Sequence, residues 1–250
     1  MTALDTSPSN NGRAPEGWSS SWTHLRVKRR SSGYCRVTFD HPPINTINAM
    51  TVLELAELVG LVEQDPDLNV IVFDSANPDF YLADYDTERG AGGTVAPGSG
   101  STGTHAWLEV LVRLSRAPVI SIASIRGRAS GAGSEFVLAC DLRFASRENS
   151  SLGKFEVGIG AVPGSGPTAW LSRLVGRGRA LEILLAADDL DGPRAEQYGY
   201  VNQVIGDEQL DDEVDQMASR LGRFDHDAIV RTKSYVDQVT LPRTGSFRGR

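Results

Sequence analysis

Hydrophobic and polar residues alternate in two segments near the start of the chain, residues 24–28 and 34–39. The turn-forming residues Ser31-Ser32-Gly33 separate the two segments. Alternation with a period of two on both sides of a short turn predicts a β-hairpin. His41-Pro42-Pro43 follows, and the prolines end the second strand because proline has no N–H to donate to a ladder.

After the prolines, apolar residues are spaced as in a helix and no longer alternate with polar ones. Thr51 and Glu54 have the spacing of a capping box. Apolar residues then recur at helical intervals, namely Val52, Leu55, Ala56, Val59 and Val62. Residues 69–74 and 118–123 are short continuous apolar runs and predict buried strands. A helix over about residues 105–114 leads into the second of these strands.

Helices and strands alternate through the second half of the chain. The sequence predicts a turn at residues 126–130, a helix at 131–140 and a strand at 141–145. The elements expected after them are helices near residues 167–175, 177–187 and 193–198, a strand at 201–205, and helices at 210–221 and 228–239. Strands interleaved with helices predict an α/β fold with parallel strand pairs.

Two segments show no periodic pattern of hydrophobic and polar residues. Residues 1–20 are rich in Ser, Pro, Asn and Gly, a composition that predicts a disordered N-terminal tail. Residues 88–104 contain many glycines, and this loop is open to two interpretations, a functional lid or a plain linker.

Composition and charge narrow the classes of function. The net charge is −7 and the sequence pI about 5.2, so the chain has no general attraction for nucleic acid, and local donors must hold any anionic ligand. Cys35 and Cys140 are far apart and fit no metal-ligand spacing, which favours a reducing compartment. The chain shows neither a signal peptide nor an apolar run of membrane length. We therefore expect a cytoplasmic protein that binds no nucleic acid, membrane or metal.

Residues 126–135 lead from a buried strand into a helix and are rich in small residues. Small residues let a ligand approach the backbone, and the first turn of a helix offers unpaired N–H groups with a positive dipole. Such donors could stabilise an oxyanion, but a tight turn that binds nothing explains this stretch equally well. A dinucleotide-binding loop explains it less well, because Phe136 stands where the third glycine belongs.

The sequence does not match other common catalytic motifs. Ser165 lacks the glycine two residues before it that a nucleophile elbow requires, and the chain contains no P-loop sequence. The four histidines form no close cluster and no HExxH motif. Acid–base chemistry would then depend on carboxylates, tyrosines or lysines.

Two glutamates are candidates for that chemistry. Glu135 lies in the first turn of the predicted apolar helix, where a carboxylate also interacts favourably with the helix dipole. Glu156 lies in a glycine-flanked stretch, where it could be a solvated loop charge. Either glutamate alone is more often structural than catalytic, and the pattern they form together is what indicates catalysis.

Four stretches of the chain carry motifs: FYLADYD at residues 80–86, RGRASGAGSEFVLACD at 126–141, GKFEVGIGAVPG at 153–164 and AEQYGYVN at 195–202. Together they resemble the crotonase, or enoyl-CoA hydratase/isomerase, superfamily. In chain order they are similar to its F-x-A-G-x-D oxyanion loop, G-x-A-x-G-G-G-x-E-L-x-x-x-C-D, G-x-P-E-x-x-x-G-x-x-P-G and A-x-x-x-G-L-V-N. The resemblance covers about residues 23–240.

The resemblance implies an α/β fold, a crotonase-like spiral of ββα units with a helical C-terminal region. It divides the chain into the disordered tail (residues 1–20), a spiral core (21–206) and a C-terminal helical region (207–250) that is shorter than in the family. It also implies that the ligand is an acyl-CoA thioester, that no cofactor is needed besides the coenzyme A of the substrate, and that the chain forms a homotrimer or hexamer.

The same motifs imply roles for individual residues. Glu135 and Glu156 match the two acid–base carboxylates of the hydratases, and the backbone N–H groups of Tyr85 and Ala132 match the pair that holds the thioester oxygen. The substrate-binding positions implied in this way are Ala83, Asp84, Gly131, Gly133 and Gly164. Three residues depart from the family pattern: Asp84 and Ala132 replace glycines, and Phe155 replaces a proline.

The leading hypothesis is an enoyl-CoA hydratase, a lyase of lipid metabolism that adds water across the 2,3 double bond of an enoyl-CoA. Because both carboxylates are kept, hydration is favoured over double-bond isomerisation or another crotonase reaction. A non-catalytic acyl-CoA-binding subunit is the alternative from a different class of protein.

Overall fold

The computed structural model describes residue 18 and residues 22–85, 106–163 and 165–242. Short 3₁₀ turns lie at Glu156–Ile159 and Asp207–Gln209. The strands and helices of this part of the chain are, in order, β1 (Leu25–Ser31), β2 (Tyr34–Phe39), α1 (Ala49–Gln64), β3 (Val70–Ser75), β4 (Phe80–Leu82), α2 (Ala106–Arg116), β5 (Ile120–Ser130), α3 (Ala132–Ala139), β6 (Leu142–Gly153), α4 (Ser165–Val175), α5 (Arg177–Ala186), β7 (Asp189–Asp191), α6 (Gly192–Tyr198), β8 (Gln203–Ile205), α7 (Leu210–Leu221) and α8 (His226–Thr240).

One eight-stranded sheet contains all of these strands, in the order β1-β2-β3-β5-β6-β7. Off this path, β4 pairs with β5 and β8 pairs with β6. β1 and β2 form the predicted antiparallel hairpin, whereas β2, β3, β5 and β6 pair in parallel, each with the next. The predicted α/β fold with parallel strand pairs is confirmed.

Three buried phenylalanine rings fix α3 against the sheet. The ring centroid of Phe136 lies 5.2 Å from that of Phe39 on β2 and 4.9 Å from that of Phe73 on β3, and both contacts are edge to face. Trp107 of α2 lies almost parallel to Phe136 at 6.3 Å. Aromatic pairs at these distances add stabilisation beyond the burial of their area. α3 is therefore anchored to both the sheet and α2 directly after its first turn.

The first helix begins before the capping box that the sequence predicted. Asn48 is the N-cap, because its side chain accepts a hydrogen bond from the N–H of Thr51 at 3.1 Å. The Thr51 hydroxyl accepts in return from the N–H of Asn48 at 3.4 Å. The predicted box of Thr51 and Glu54 is wrong, since the Glu54 carboxylate is used elsewhere. It accepts from the backbone N–H groups at the start of β1, those of Thr23, His24 and Leu25.

The turn predicted at residues 126–130 is also wrong. β5 continues through these residues to Ser130, and β6 runs to Gly153 instead of ending near residue 145. After a register shift that follows Ile125, the two strands pair again as far as their last residues. Hydrogen bonds to the partner strand hold this polar stretch extended. Such pairing does not require hydrophobic and polar residues to alternate, so the sequence shows no strand pattern here. As a result, the segments that carry Glu135 and Glu156 leave the sheet side by side.

The ends of the chain are described in part. Trp18 lies within the predicted tail and is buried, with the guanidinium of Arg29 5.4 Å from its ring centroid. The rest of that tail, the loop at residues 88–104 and the last residues from 243 onward lie outside the described residues. The helices predicted at 210–221 and 228–239 are confirmed as α7 and α8. Within the described ranges, no helix is both long and apolar enough to cross a membrane.

Replacing Glu54 by alanine is expected to lower the free energy of unfolding by about 1–3 kcal/mol, because the N–H groups at the start of β1 lose their acceptor. Urea unfolding measures this change. Glu57, which accepts a hydrogen bond at 2.9 Å from the indole of the half-buried Trp22, is the matched control. Its alanine variant should change stability by less than about 0.5 kcal/mol. Equal losses in the two variants would show that Glu54 does not fasten the hairpin.

Candidate active site

α3 begins at a glycine in the left-handed region of backbone space. Gly131 has φ 53° and supplies no side-chain cap. The next N–H, that of Ala132, is one of the donors that a helix start leaves unpaired, and Asp84 Oδ1 accepts from it at 3.0 Å. A Cβ on Gly131 would lie 2.5 Å from Asp84 Cγ, so the glycine also makes room for this carboxylate. The predicted oxyanion donor therefore already faces an anionic oxygen.

The segment that carries Asp84 is held from two sides. On one side the Asp84 carbonyl accepts from the N–H of Ile47 at 3.1 Å. On the other side α3 comes so close that a Cβ on Gly133 would lie 1.8 Å from the carbonyl oxygen of Leu82. The structure thus brings together most of the predicted backbone and substrate positions, namely Ala83, Asp84, Tyr85, Gly131, Ala132 and Gly133. Gly164 lies outside the described residues.

Glu135 lies in the first turn of α3 with both of its carboxylate oxygens in contact with a donor. The indole N–H of Trp107 donates to Oε2 at 2.9 Å, and the ammonium of Lys154 lies 3.4 Å from Oε1. The side chain of Glu135 is 14% exposed. Donors from α2 and from the end of β6 thereby fix the direction of the carboxylate.

Glu156 begins the 3₁₀ turn that follows β6. Its Oε1 lies 3.1 Å from Lys154 Nζ. Its Oε2 is buried and accepts no hydrogen bond from any residue in the described ranges. A buried carboxylate oxygen without a donor costs free energy. This oxygen is the open position in the cluster, where a water or a ligand group that carries a proton can bind.

Lys154 joins the two glutamates, although no sequence motif singled it out. Its side chain is 0% exposed, and its Nζ lies 2.8 Å from Gly131 O, 3.1 Å from Glu156 Oε1 and 3.4 Å from Glu135 Oε1. Glu135 Oε1 and Glu156 Oε1 are therefore close to each other, because both lie within 3.4 Å of the same nitrogen atom. The family motif leaves this position open to any residue, so only its place between Gly153 and Glu156 could have drawn attention to it.

The tyrosines near the cluster of Glu135, Glu156 and Lys154 stay protonated. Burial raises the pKa of Tyr85 well above its usual range, and the charges of Glu135 and Asp84 raise it further. Burial also raises the pKa of Tyr200, whose hydroxyl shares a hydrogen bond with the Ser134 hydroxyl of α3. Neither phenol can act as a base near neutral pH. The carboxylates and Lys154 are then the titratable side chains that the cluster offers for proton transfer.

The described histidines are used elsewhere in the molecule. The rings of His24 and His41 stack at 3.7 Å, and His24 also bonds the hydroxyl of Thr51 at 2.8 Å. His226 bonds the side chain of Asn69 at 3.0 Å. Across the described ranges, no three His, Cys, Asp or Glu side chains are grouped so as to hold a metal ion.

Comparisons with known proteins agree with this geometry. The enoyl-CoA hydratase/isomerase family model matches residues 29–246. The chain is 33% identical to the crotonyl-CoA hydratase of Syntrophomonas wolfei over 180 residues, which cover 71% of this chain and 67% of that protein.

Solved structures give the same result. The fold is similar to that of a candidate enoyl-CoA hydratase from Streptomyces avermitilis, with a TM-score of 0.82 and 39% identity over 92% of this chain and 82% of that one. A candidate enoyl-CoA hydratase from Thermobifida fusca, crystallised with CoA, matches with a TM-score of 0.77 and 26% identity over 94% of this chain and 92% of that one. The crotonase-like fold that the motifs implied is confirmed.

Replacing Gly133 by alanine is expected to push the Asp84 segment away from α3, because the added methyl overlaps a backbone oxygen of β4. The free energy of unfolding should fall by about 1–3 kcal/mol, as is usual for overpacking. Denaturant titration provides the measurement. Gly178→Ala in α5 is the control, since a Cβ there meets nothing within 4 Å. If Gly133→Ala were as stable as Gly178→Ala, the close approach of α3 to Leu82 would be wrong.

Proposed function

The chain belongs to the enoyl-CoA hydratase/isomerase family, and from this premise we propose that it is a hydro-lyase that adds water across the 2,3 double bond of an enoyl-CoA thioester. The observation that carries the proposal is the meeting of Glu135 and Glu156 at one buried ammonium beside the first peptide of α3. The similarity to a crotonyl-CoA hydratase and to a CoA-bound structure supports this class of substrate.

The thioester oxygen takes the place of the Asp84 carboxylate on the N–H of Ala132, and the N–H of Tyr85 supplies the second hydrogen bond. These donors draw electrons from the carbonyl, which makes the β-carbon electrophilic and stabilises the enolate that forms on attack. The contact of 3.0 Å between Ala132 N and Asp84 Oδ1 supports the role, because it is a hydrogen bond from this N–H to an anionic oxygen. Asp84 turns away when substrate binds.

The two glutamates add the water. Oε2 of Glu156, which receives no hydrogen bond from the described residues, accepts one from the water, and Glu135 holds the same molecule. The water oxygen forms a bond to the β-carbon while one of its O–H bonds breaks. A proton reaches the α-carbon through a carboxylate as the enolate returns to a thioester. One water is consumed, both glutamates end in their starting state, and the reaction requires no oxidant, reductant or second substrate.

Glu135→Gln and Glu156→Gln should each lower kcat on crotonyl-CoA by on the order of 100- to 10,000-fold, because an amide of the same size cannot transfer the proton. Loss of absorbance by the conjugated thioester measures the rate. Glu63→Gln, which alters a surface pair with Arg113, is the control that keeps full activity. Full activity of both site variants would contradict the proposal. Deuterium uptake at the α-carbon without addition of water would indicate a double-bond isomerase instead.

Asp84 favours a second candidate function, a non-catalytic acyl-CoA-binding protein. Its carboxylate competes with a thioester oxygen for the Ala132 N–H, and a competitor that never left would prevent polarisation of the carbonyl. Calorimetric binding of CoA thioesters without turnover, in the wild type and in Asp84→Gly, would support this candidate over the hydratase.

Asp84→Gly should raise kcat/KM for crotonyl-CoA by about 10-fold or more, since a hydrogen bond to a charged group contributes roughly 1.5–3 kcal/mol and no longer has to be broken. Asp84→Asn keeps an acceptor without the charge and should fall between glycine and the wild type. Steady-state kinetics at several substrate concentrations separates the effects on kcat and KM. A fall in kcat/KM for Asp84→Gly would mean that the carboxylate assists the reaction instead of competing with it.

We also propose assembly as a homotrimer or hexamer, as the resemblance implies. Large apolar side chains on α4 and α5 are exposed in the single chain, namely Leu174, Leu181 and Leu185. Exposed apolar groups of this kind are what a subunit interface covers.

A further inference from the structure

We propose that Lys154 is a positioning residue that ties the oxyanion-binding peptide to the two acid–base carboxylates, so that one ammonium sets the geometry of all three. The inference rests on the hydratase function proposed above and adds a residue that the family motif leaves open. Its starting point is that Lys154 is completely buried, although it carries a charge and lies in a short connection after β6.

Every donor of this ammonium has an acceptor. A lysine ammonium carries three N–H groups and no acceptor. Lys154 Nζ has three oxygen neighbours at hydrogen-bond distance, one from each part of the site: Gly131 O, Glu156 Oε1 and Glu135 Oε1. Burying a charge is expensive unless it is paired and hydrogen-bonded, and these three oxygens offset that cost. The side chain therefore has one stable position, and it is defined by the catalytic groups.

The contact with Gly131 acts on the oxyanion donor. The carbonyl of Gly131 and the N–H of Ala132 belong to one planar peptide unit, and they point in opposite directions. The carbonyl oxygen accepts from the N–H of Glu135 at 3.2 Å and from the ammonium at 2.8 Å, and these two donors together fix the direction of the N–H on the other side. It also polarises the peptide, and a polarised N–H is a stronger donor. Lys154 thus restrains the direction of this N–H and strengthens its hydrogen bond to the thioester oxygen.

The contacts with the glutamates act on the water site. Glu135 and Glu156 carry like charges, which repel each other at short range in a medium of low dielectric constant. The ammonium between them compensates this repulsion and holds Oε1 of each carboxylate, so Oε2 of Glu156 is left facing the site. Without Lys154 the carboxylates would move apart, and the water between them would lose one of its two partners.

A second buried lysine provides a matched control. Lys233 of α8 donates to a backbone carbonyl, Val119 O, at 2.9 Å and to a carboxylate, Asp141 Oδ2, at 2.7 Å. Like Lys154 it is buried, but its partners are not the glutamates or the peptide at the start of α3. Lys154→Met and Lys233→Met each remove a buried ammonium and leave its acceptors behind, so losses of stability that are merely structural should appear in both.

The experiment measures the absorbance of bound cinnamoyl-CoA, a conjugated thioester, together with kcat and KM on crotonyl-CoA. Hydrogen bonds to the thioester carbonyl shift the absorbance of such a chromophore to longer wavelength, so the spectrum of the bound thioester reports the oxyanion donors separately from the rate of hydration. We expect the wild type and Lys233→Met to show the shift, and Lys154→Met to lose most of it. The kcat of Lys154→Met should fall by on the order of 100-fold, with a small change in KM.

The control outcomes keep the inference distinct from the hydratase proposal. If the wild type hydrates no enoyl-CoA, the proposed function fails, and a red shift lost only in Lys154→Met still supports the positioning role. If Lys154→Met keeps the full red shift and its kcat falls no more than that of Lys233→Met, the positioning role is overturned. If Lys154→Met does not fold, Lys154→Gln gives the same test. Its amide keeps neutral N–H donors, so we expect it to keep part of the red shift.

Discussion

The parallel pairing of β5 with β6 up to their last residues is the constraint on which the site depends. Ser130 lies beside Gly153, and the N–H of Gly131 continues the contact by donating to Gly153 O at 3.2 Å. α3 starts at one of these strand ends, and the segment with Lys154 and Glu156 starts at the other. A Cβ on Gly153 would lie 1.9 Å from a carboxylate oxygen of Asp189, so the strand end is tightly surrounded. A slip of one residue between the strands would shift the segments that carry Glu135 and Glu156 relative to each other.

Charge is distributed unevenly in this site. Asp84, Glu135 and Glu156 bring three carboxylates to the start of α3, and Lys154 brings one ammonium. In the proposed hydration, an anionic oxygen has to be stabilised close to this excess of negative charge. Backbone N–H groups and the dipole of α3 are suited to that task because they are fixed partial charges that need no counterion. In the free protein Asp84 accepts from the N–H of Ala132 at the start of α3, and in the proposed reaction the thioester oxygen replaces it.

The elements that could be predicted from the sequence are those in which apolar residues recur at helical or strand spacing. The hairpin, α1, α3 and α7 all have apolar residues that pack into the core, and each was found near its expected place. α8 was found there too, although its buried residue is Lys233 and several of its large apolar side chains are exposed. The extension of β5 and β6 was not predictable in this way, because strand pairing and not apolar alternation holds it. The cap of α1 was misplaced because Glu54 bonds to residues about thirty positions away in the chain, which no local pattern reveals.

The site was predicted in part for the same reason. Family motifs singled out Glu135, Glu156 and the segment around Asp84, and the fold brings them together. Lys154 escaped notice because its importance comes from three acceptors that meet only in the folded chain. The effect of Asp84 on the Ala132 N–H was likewise invisible, since it depends on the distance between two segments that are 48 positions apart.

A crystal structure with butanoyl-CoA, a saturated thioester that cannot be hydrated, would show which groups hold the thioester oxygen. We expect the thioester oxygen to lie about 2.7–3.2 Å from Ala132 N, where Asp84 Oδ1 lies in the free protein, with the two glutamate carboxylates beside the α- and β-carbons. A thioester bound away from α3, with Asp84 still on the Ala132 N–H, would contradict it.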